Sequence, residues 1–257
     1  GDGLAAAERG VVSDPAFDTA MLPFPLEYGS TYYWRVDEAN VPSGAWDEGS
    51  IWSFTVEPLG YPLPGQNITV TASSSNTADE GPGNTVNGSG LTADDLHSDE
   101  SKAMWLSSVA GPQPTWIQYE FERVYRLRGM SVWNHNTTNE PVIGYGIKEA
   151  VITYSADGVA WTTLGATHEL ARGPGAAGYA ANTTIDFAGL AAKYVRITAN
   201  SNWGGLVDQY GLSEVRFLYV PVAAREPSPD NGATDIHPEV TLSWRVGREA
   251  AMHDLYV

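Results

Sequence analysis

The sequence predicts an all-β protein, and three observations carry that expectation. The chain is rich in turn formers, with 27 Gly and 16 Pro in 257 residues, which suits many short strands joined by tight turns. Nine Trp and 13 Tyr supply the aromatic content that strands favour. Several segments alternate apolar and polar residues with the two-residue period of a half-buried strand, while long amphipathic helical patterns are hard to find. Apolar residues make up 42% of the chain, enough for a core and too many for intrinsic disorder.

Composition narrows the function classes. There are no cysteines, which removes disulfide scaffolds, thiolate zinc sites and cysteine nucleophiles together. The formal charge is −17, and no segment is basic: residues 1–58 carry ten acids and two bases, residues 59–222 fifteen and nine, residues 223–257 six and three. Nucleic acid and anionic membranes are therefore poor partners, whereas an acidic surface favours divalent cations. The opening "GDGLAAAERG" is neither basic nor long and apolar, so neither a signal peptide nor membrane insertion is expected. It does not resemble a natural start, and the chain reads as a piece of a longer or processed protein.

Two proline-rich stretches punctuate the chain, Glu57 to Gln66 ("EPLGYPLPGQ") and Val220 to Gly232 ("VPVAAREPSPDNG"). They read as linkers, because Pro removes donors and Gly-Pro clusters interrupt regular structure. The expected domains are residues 1–58, 59–222 and 223–257. The middle segment suits one domain, and each flank looks too short to stand alone.

In the N-terminal flank, Tyr32, Trp34 and Val36 form one strand face, and Trp52, Phe54 and Val56 another. In the C-terminal flank, Val240, Leu242, Trp244 and Val246 alternate with polar neighbours, and a further β-like run from Met252 to Val257 follows a turn. Leu26 followed six residues later by Tyr32 resembles the tyrosine corner of fibronectin type III domains. The resemblance makes the N-terminal flank the last strands of such a sandwich and the C-terminal flank its first three. The flanks together come to about 90 residues, close to the roughly 100 of an immunoglobulin-like sandwich. They would be completed by another copy, head to tail, or by the opposite end of the same chain. Copies can join covalently, as a tandem repeat, or by strand complementation. A fragment cut at an arbitrary point is the competing account.

The central segment alternates in "WIQYEF", where Trp116, Gln118 and Glu120 oppose Ile117, Tyr119 and Phe121, and again in "KYVRITA" and "SEVRFLYV". Asp157-Gly158 between two strand-like runs is a hairpin signal. Trp116, Tyr119, Phe121, Val195 and Val215 are candidates for burial. "ITVTASSSNTADEGPGNTVNGSG", "MWLSS", "TWIQYEF", "LRGMSVWNHN", "EAVITYSADGVAWTTLG", "AAKYVRITA" and "GLSEVRFLYV" retain the order of several motifs. Over residues 61–220 the chain thereby resembles the discoidin family, also called coagulation factor V/VIII type C. Many bacterial members are grouped as carbohydrate-binding module family 32. The resemblance implies an eight-stranded jelly-roll sandwich with ligand loops at one end, flanked here by the split immunoglobulin-like sandwich.

Sugar recognition needs an aromatic face for a pyranose ring and polar side chains for its hydroxyls. Two loops offer both: Trp133, Asn134 and His135 in "VWNHNTTN", and Asn200, Asn202, Trp203 and Asp208 in "NSNWGGLVDQYG". The resemblance places both near the binding end, and core or rim packing is the competing role for either Trp. It also implies a structural Ca²⁺ held by loop oxygens, with Asn87 at the position usually occupied by Asp and Glu214 as the matching acid. Sequons fall at Asn67, Asn87, Asn136 and Asn182, the last two in loop-like contexts. A glycosylated Asn87 could not also be a metal ligand. Asp94, Asp95, Asp99 and Glu100 concentrate acids, but a glycosidase needs two facing carboxylates, and a run in a polar loop is ordinarily solvated. No catalytic motif is found.

Two functions fit. One is a non-catalytic extracellular or cell-surface module, the repeating unit of a head-to-tail fibre, whose jelly roll binds glycans. The other is a carbohydrate-binding accessory segment of a large secreted glycoside hydrolase.

Overall fold

The structure is a computed structural model, and it describes residues 15–40 and 44–257. Gly1, the expected neighbour of another copy's Val257, lies outside these residues. The chain divides into a unit ending at Leu59 and a unit running Gly60–Val257.

The first unit pairs β1 (Thr31–Trp34) with β4 (Trp52–Thr55), antiparallel, setting Tyr32 opposite Phe54 and Trp34 opposite Trp52. A second ribbon pairs β2 (Glu38–Asn40) with β3 (Ala45–Asp47). The aromatic pairs meet as the alternation predicts, with ring centroids 5.8 Å apart for Tyr32–Phe54 and 4.8 Å for Trp34–Trp52. The Tyr32 hydroxyl accepts the Glu27 N–H at 2.9 Å, tying β1 back to the turn before it. Gly29 (φ +75°) makes that turn, its N–H reaching the carbonyls of Val56 and Glu57.

The second unit is a two-layered antiparallel fold, and two long bent strands build both layers. In one layer β6 (Ile68–Ala72) pairs with the first half of β8 (Trp116–Asn134). That half pairs with the second half of β12 (Thr183–Asn202), which pairs with β9 (Ile147–Ser155). Short strands β10 (Thr162–Thr163) and β11 (His168–Glu169) extend β9. In the other layer the second half of β8 lies between the first half of β12 and β13 (Gly211–Val220). There β5 (Tyr61–Pro62) and β7 (Trp105–Leu106) pair with β13. Register shifts between Asp186 and Leu190 and between Ala192 and Tyr194 mark where β12 bends from one layer to the other. Its only described α-helix is one turn, α1 (Glu140–Ile143).

Between the layers Tyr119 and Phe121 of one meet Phe217 of the other edge to face, each at 5.0 Å between centroids. Tyr119, Phe121, Val195 and Val215 are buried as expected. Trp116 is not: its place in the alternation puts it on the outer face, half-buried. The predicted hairpin forms after β9, where the Asp157 carboxylate accepts the N–H groups of Val159 and Ala160 at 2.8 and 2.9 Å. Those bonds hold Asp157 below the usual carboxylate range.

At the C-terminal end β14 (Arg225–Ser228) pairs with β15 (Ser243–Arg245). The expected run from Met252 to Val257 forms no strand, because no described strand pairs with it and its side chains stay open to solvent. The segment is held to the jelly roll by the Arg248 N–H on the Pro221 carbonyl at 2.8 Å and by Arg225 and Arg248 over the Tyr61 ring.

Candidate functional site

Hydrogen bonds gather several loops around residues 203–210, which join β12 to β13. Asn202 organises the loop: its Nδ2 donates to the carbonyls of Val207 (2.6 Å) and Gln209 (2.9 Å), and its Oδ1 accepts the Gly205 N–H (2.6 Å). Gly205 takes φ +64°, a turn that suits glycine. Gln209 donates to Asn76 Oδ1 and the Ser107 carbonyl, and Gln113 donates to the Asp208 carbonyl, so the loop after β6 and the β7–β8 loop are tied in.

Trp203 is half-buried within this assembly. Its main-chain N–H donates to the Gly146 carbonyl at 3.1 Å and its indole N–H to the Leu170 carbonyl at 3.0 Å. The Lys148 ammonium sits 5.2 Å from its ring centroid. Asp208 on the same loop is exposed, and so is Asn200 at the irregular end of β12. Trp203 is thus fixed by its main-chain and its indole N–H while part of the residue's surface remains open.

The other predicted loop takes a different role. Trp133, Asn134 and His135 are 4%, 0% and 1% exposed, so none offers a face to a sugar ring. Their position at the end of β8, inside the packed layers, explains this. The Trp133 indole donates to the Asp95 carbonyl, and Arg216 covers its ring while pairing with Asp95 at 2.6 Å. That pairing holds the Asp95 carboxyl below its usual range. Asn134 Nδ2 donates to the carbonyls of Ile147 (2.7 Å) and Ala171 (2.9 Å). His135 Nδ1 lies 2.9 Å from Glu140 Oε2, and Glu140 Oε1 accepts the Gly146 N–H at 2.9 Å. Asn134 directly, and His135 through Glu140, hold the segment whose Gly146 carbonyl accepts the Trp203 N–H, while Trp133 packs with Asp95 and Arg216.

The metal candidates meet at another place. Glu214, 2% exposed, lines a cavity of about 270 Å³ together with Asn87, Gly88 and Arg216. Its carboxylate accepts one N–H, from Gly88 at 3.3 Å, and burial pushes its pKa up to about 7. A buried carboxylate with so few donors fits a cation partner. Asn87 fits less well, since its Oδ1 accepts the Ser89 N–H at 2.8 Å. No group of three or more His, Cys, Asp and Glu able to hold a metal occurs among the described residues, so most ligands there would be carbonyl oxygens.

The sequons differ in accessibility. Asn136 is fully buried, its Nδ2 donating to the carbonyls of Ser98 and Ala176 and its Oδ1 accepting the Gly175 N–H. A glycan cannot be attached there in the folded chain, which corrects the expectation from its loop-like sequence. Asn182 is exposed but bonded to Tyr179 and Arg172, Asn87 is exposed, and Asn67 is half-buried.

Two features escaped the sequence. Lys148 over Trp203 depends on the pairing of β9 with β12, which alternation alone does not register. Glu140, although charged, is buried, and only its place five residues beyond His135 hints at a role beneath the loop. Among the described residues no helix is long and apolar enough to cross a membrane.

A search of curated proteins gives no match. Among solved structures, the chain is similar to CBM32-3 from a family 31 glycoside hydrolase of Clostridium perfringens, at 22% identity over 62% of this chain and 95% of that one (TM-score 0.47). It is also similar to the family 32 carbohydrate-binding module of Clostridium perfringens NanJ in complex with galactose (14% identity, 62% and 98% covered, TM-score 0.47). A third is CpGH89CBM32-5 from Clostridium perfringens in complex with GalNAc-β-1,3-galactose (17% identity, 61% and 99% covered, TM-score 0.46). The family model of the F5/8 type C domain matches residues 69–210, more than half of the chain and most of the two-layered fold. The chain belongs to the F5/8 type C domain family.

Proposed function

We propose that the jelly roll is a non-catalytic glycan-binding module of an extracellular or cell-surface protein, with Trp203 as its stacking platform. The observation that carries this reading is Trp203, its main-chain N–H on Gly146 and its indole N–H on Leu170, on a loop braced by Asn202. A pyranose ring presents an apolar C–H face that packs on such a ring, and its hydroxyls need nearby polar groups. Asp208 supplies an exposed acceptor on the same loop and Lys148 a donor over the ring. Asn200 is the remaining polar candidate. Galactose and GalNAc-β-1,3-galactose, the sugars held by two of the similar structures, are the first probes. Titration of either into the protein should quench or shift Trp203 fluorescence, and Trp203→Ala should remove the response. Binding that survives this substitution places the sugar elsewhere.

A structural Ca²⁺ is part of the proposal, with Glu214 as its carboxylate ligand. Asn87 joins only if its turn to Ser89 opens. Calcium addition should raise the unfolding temperature of the wild type more than that of Glu214→Gln.

A second reading concerns the flanks. The Tyr32–Glu27 bond is the tie expected of a tyrosine corner, and β1 and β4 leave Trp34, Trp52 and Phe54 38–48% exposed. Val240, Leu242 and Val246 are open to similar degrees. Both flanks are half-sandwiches on this reading, completed head to tail by further copies to give a fibre. An accessory segment of a secreted glycoside hydrolase uses the same jelly roll without self-association. Sedimentation separates the two, since a fibre unit forms concentration-dependent linear oligomers and an accessory segment stays monomeric.

A further inference from the structure

The outer face of the β6–β8–β12–β9 layer carries a second arrangement, about 20 Å along β12 from the 203–210 loop at 3.3 Å per residue. The Arg196 guanidinium lies between two indoles, 4.7 Å from the Trp116 ring centroid and 4.9 Å from that of Trp161. Register explains the cluster: Arg196 pairs with Gln118 and Thr198 with Trp116 across β12 and β8. Trp161 stands beyond β9, its indole N–H tied to the Gly158 carbonyl of the hairpin.

The charge of Arg196 is met differently from that of five other arginines. Arg35, Arg126, Arg128, Arg216 and Arg245 each pair with a carboxylate. Arg196 instead gives Nε and Nη2 to one neutral acceptor, Gln118 Oε1, at 3.0 and 2.6 Å. In a chain of net charge −17, it is held without a carboxylate partner among the described residues. Its Nη1, the Gln118 Nε2 and the Trp116 Nε1 make no hydrogen bond among the described residues, and none is among the sealed, unpartnered atoms. The patch therefore presents uncommitted donors, one cation and indole surface, all half-buried.

We propose that this face is a second ligand site, for the carboxylate of an acidic pyranose in a uronic-acid-containing glycan. The guanidinium matches a carboxylate in charge and geometry, and the amide and indole N–H groups meet the further oxygens. The flanking rings pack on the C–H faces of the sugar. An acidic peptide would use the charge but not the paired rings.

The test is an NMR titration of the full chain with a galacturonate tetramer, reading the indole N–H signals of Trp116 and Trp161. Both signals should shift and saturate, and a neutral galactose oligomer should leave them unmoved. Gln118→Glu sets a carboxylate against the guanidinium in nearly the same volume. It should weaken uronate binding by about tenfold or more, from lost charge complementarity, without lowering the unfolding temperature. Three results overturn the proposal: no shift at either indole, an affinity indifferent to Gln118→Glu, or a poly-glutamate peptide shifting the same signals at equal concentration. Loss of uronate binding in Trp203→Ala alone would also overturn it, by moving the ligand to the loop. The proposal does not depend on what the 203–210 loop binds.

Discussion

The side-chain amide of Asn202 spans the loop that follows it, donating to the Val207 carbonyl at 2.6 Å. The same amide group donates to Gln209 and accepts from Gly205, so one side chain satisfies three main-chain groups. Asn202 is 8% exposed and cannot itself be a sugar contact of any size. Its substitution should therefore act on binding through loop shape. Asn202→Ala leaves buried carbonyls without donors and should cost about 1–3 kcal/mol of stability. Chemical denaturation would read that loss, and glycan affinity should fall with it even under conditions where the chain stays folded.

Glu214 makes stability depend on pH in a direction that can be worked out. Its folded pKa is raised by burial to about 7, above the ordinary value of 4.5. With metal removed, the folded state keeps this proton where the unfolded state has lost it. The protonated side chain carries no penalty below pH 4.5, and stability falls as pH rises from there to about 7. Glu214→Gln should remove that fall. Unfolding temperatures of wild type and variant, measured in chelator, should converge near pH 4 and favour the variant at pH 8. Equal temperatures at both values would mean the carboxylate is not buried as described.

Tyr32 gives a test of the N-terminal unit. Tyr32→Phe deletes the hydroxyl that accepts from Glu27 and keeps the ring that packs on Phe54. The expected cost is about 1 kcal/mol, because the bond is partly solvated. Hydrogen exchange should quicken at Glu27 and along β1 while the jelly-roll amides stay unchanged.

Asn136 should carry no glycan even when the chain is expressed in a glycosylating host, since its amide is sealed beneath three hydrogen bonds. Peptide mass spectrometry decides this directly. Asn136→Ala should destabilise by roughly 2–4 kcal/mol, as several buried main-chain groups lose their partner at once.

Strand positions were readable because alternation records which face is buried. Tyr119, Phe121, Val195 and Val215 follow it into the core, and Tyr32, Trp34, Trp52 and Phe54 follow it onto one face. The ends of strands were not readable in the same way. Trp133, Asn134 and His135 look like an exposed loop because aromatic and amide residues serve both a sugar and a packed loop base. What decides between these uses is long-range: Asp95, Arg216, Ile147, Ala171 and Glu140 come from other parts of the chain. The Met252–Val257 run carries β propensity, yet a strand needs a hydrogen-bonding neighbour, and that depends on what lies beside it. Trp203 stayed ambiguous in the sequence for a related reason: its openness follows from the turn that Asn202 and Gly205 build.

A glycan array probed with wild type and Trp203→Ala decides whether Trp203 is the platform of a glycan-binding module. Wild type should bind a defined set of glycans that is lost in Trp203→Ala and retained when the exposed Val159, outside the loop, is replaced by Ala. An array without binders, or one whose pattern is the same in wild type and Trp203→Ala, would contradict it.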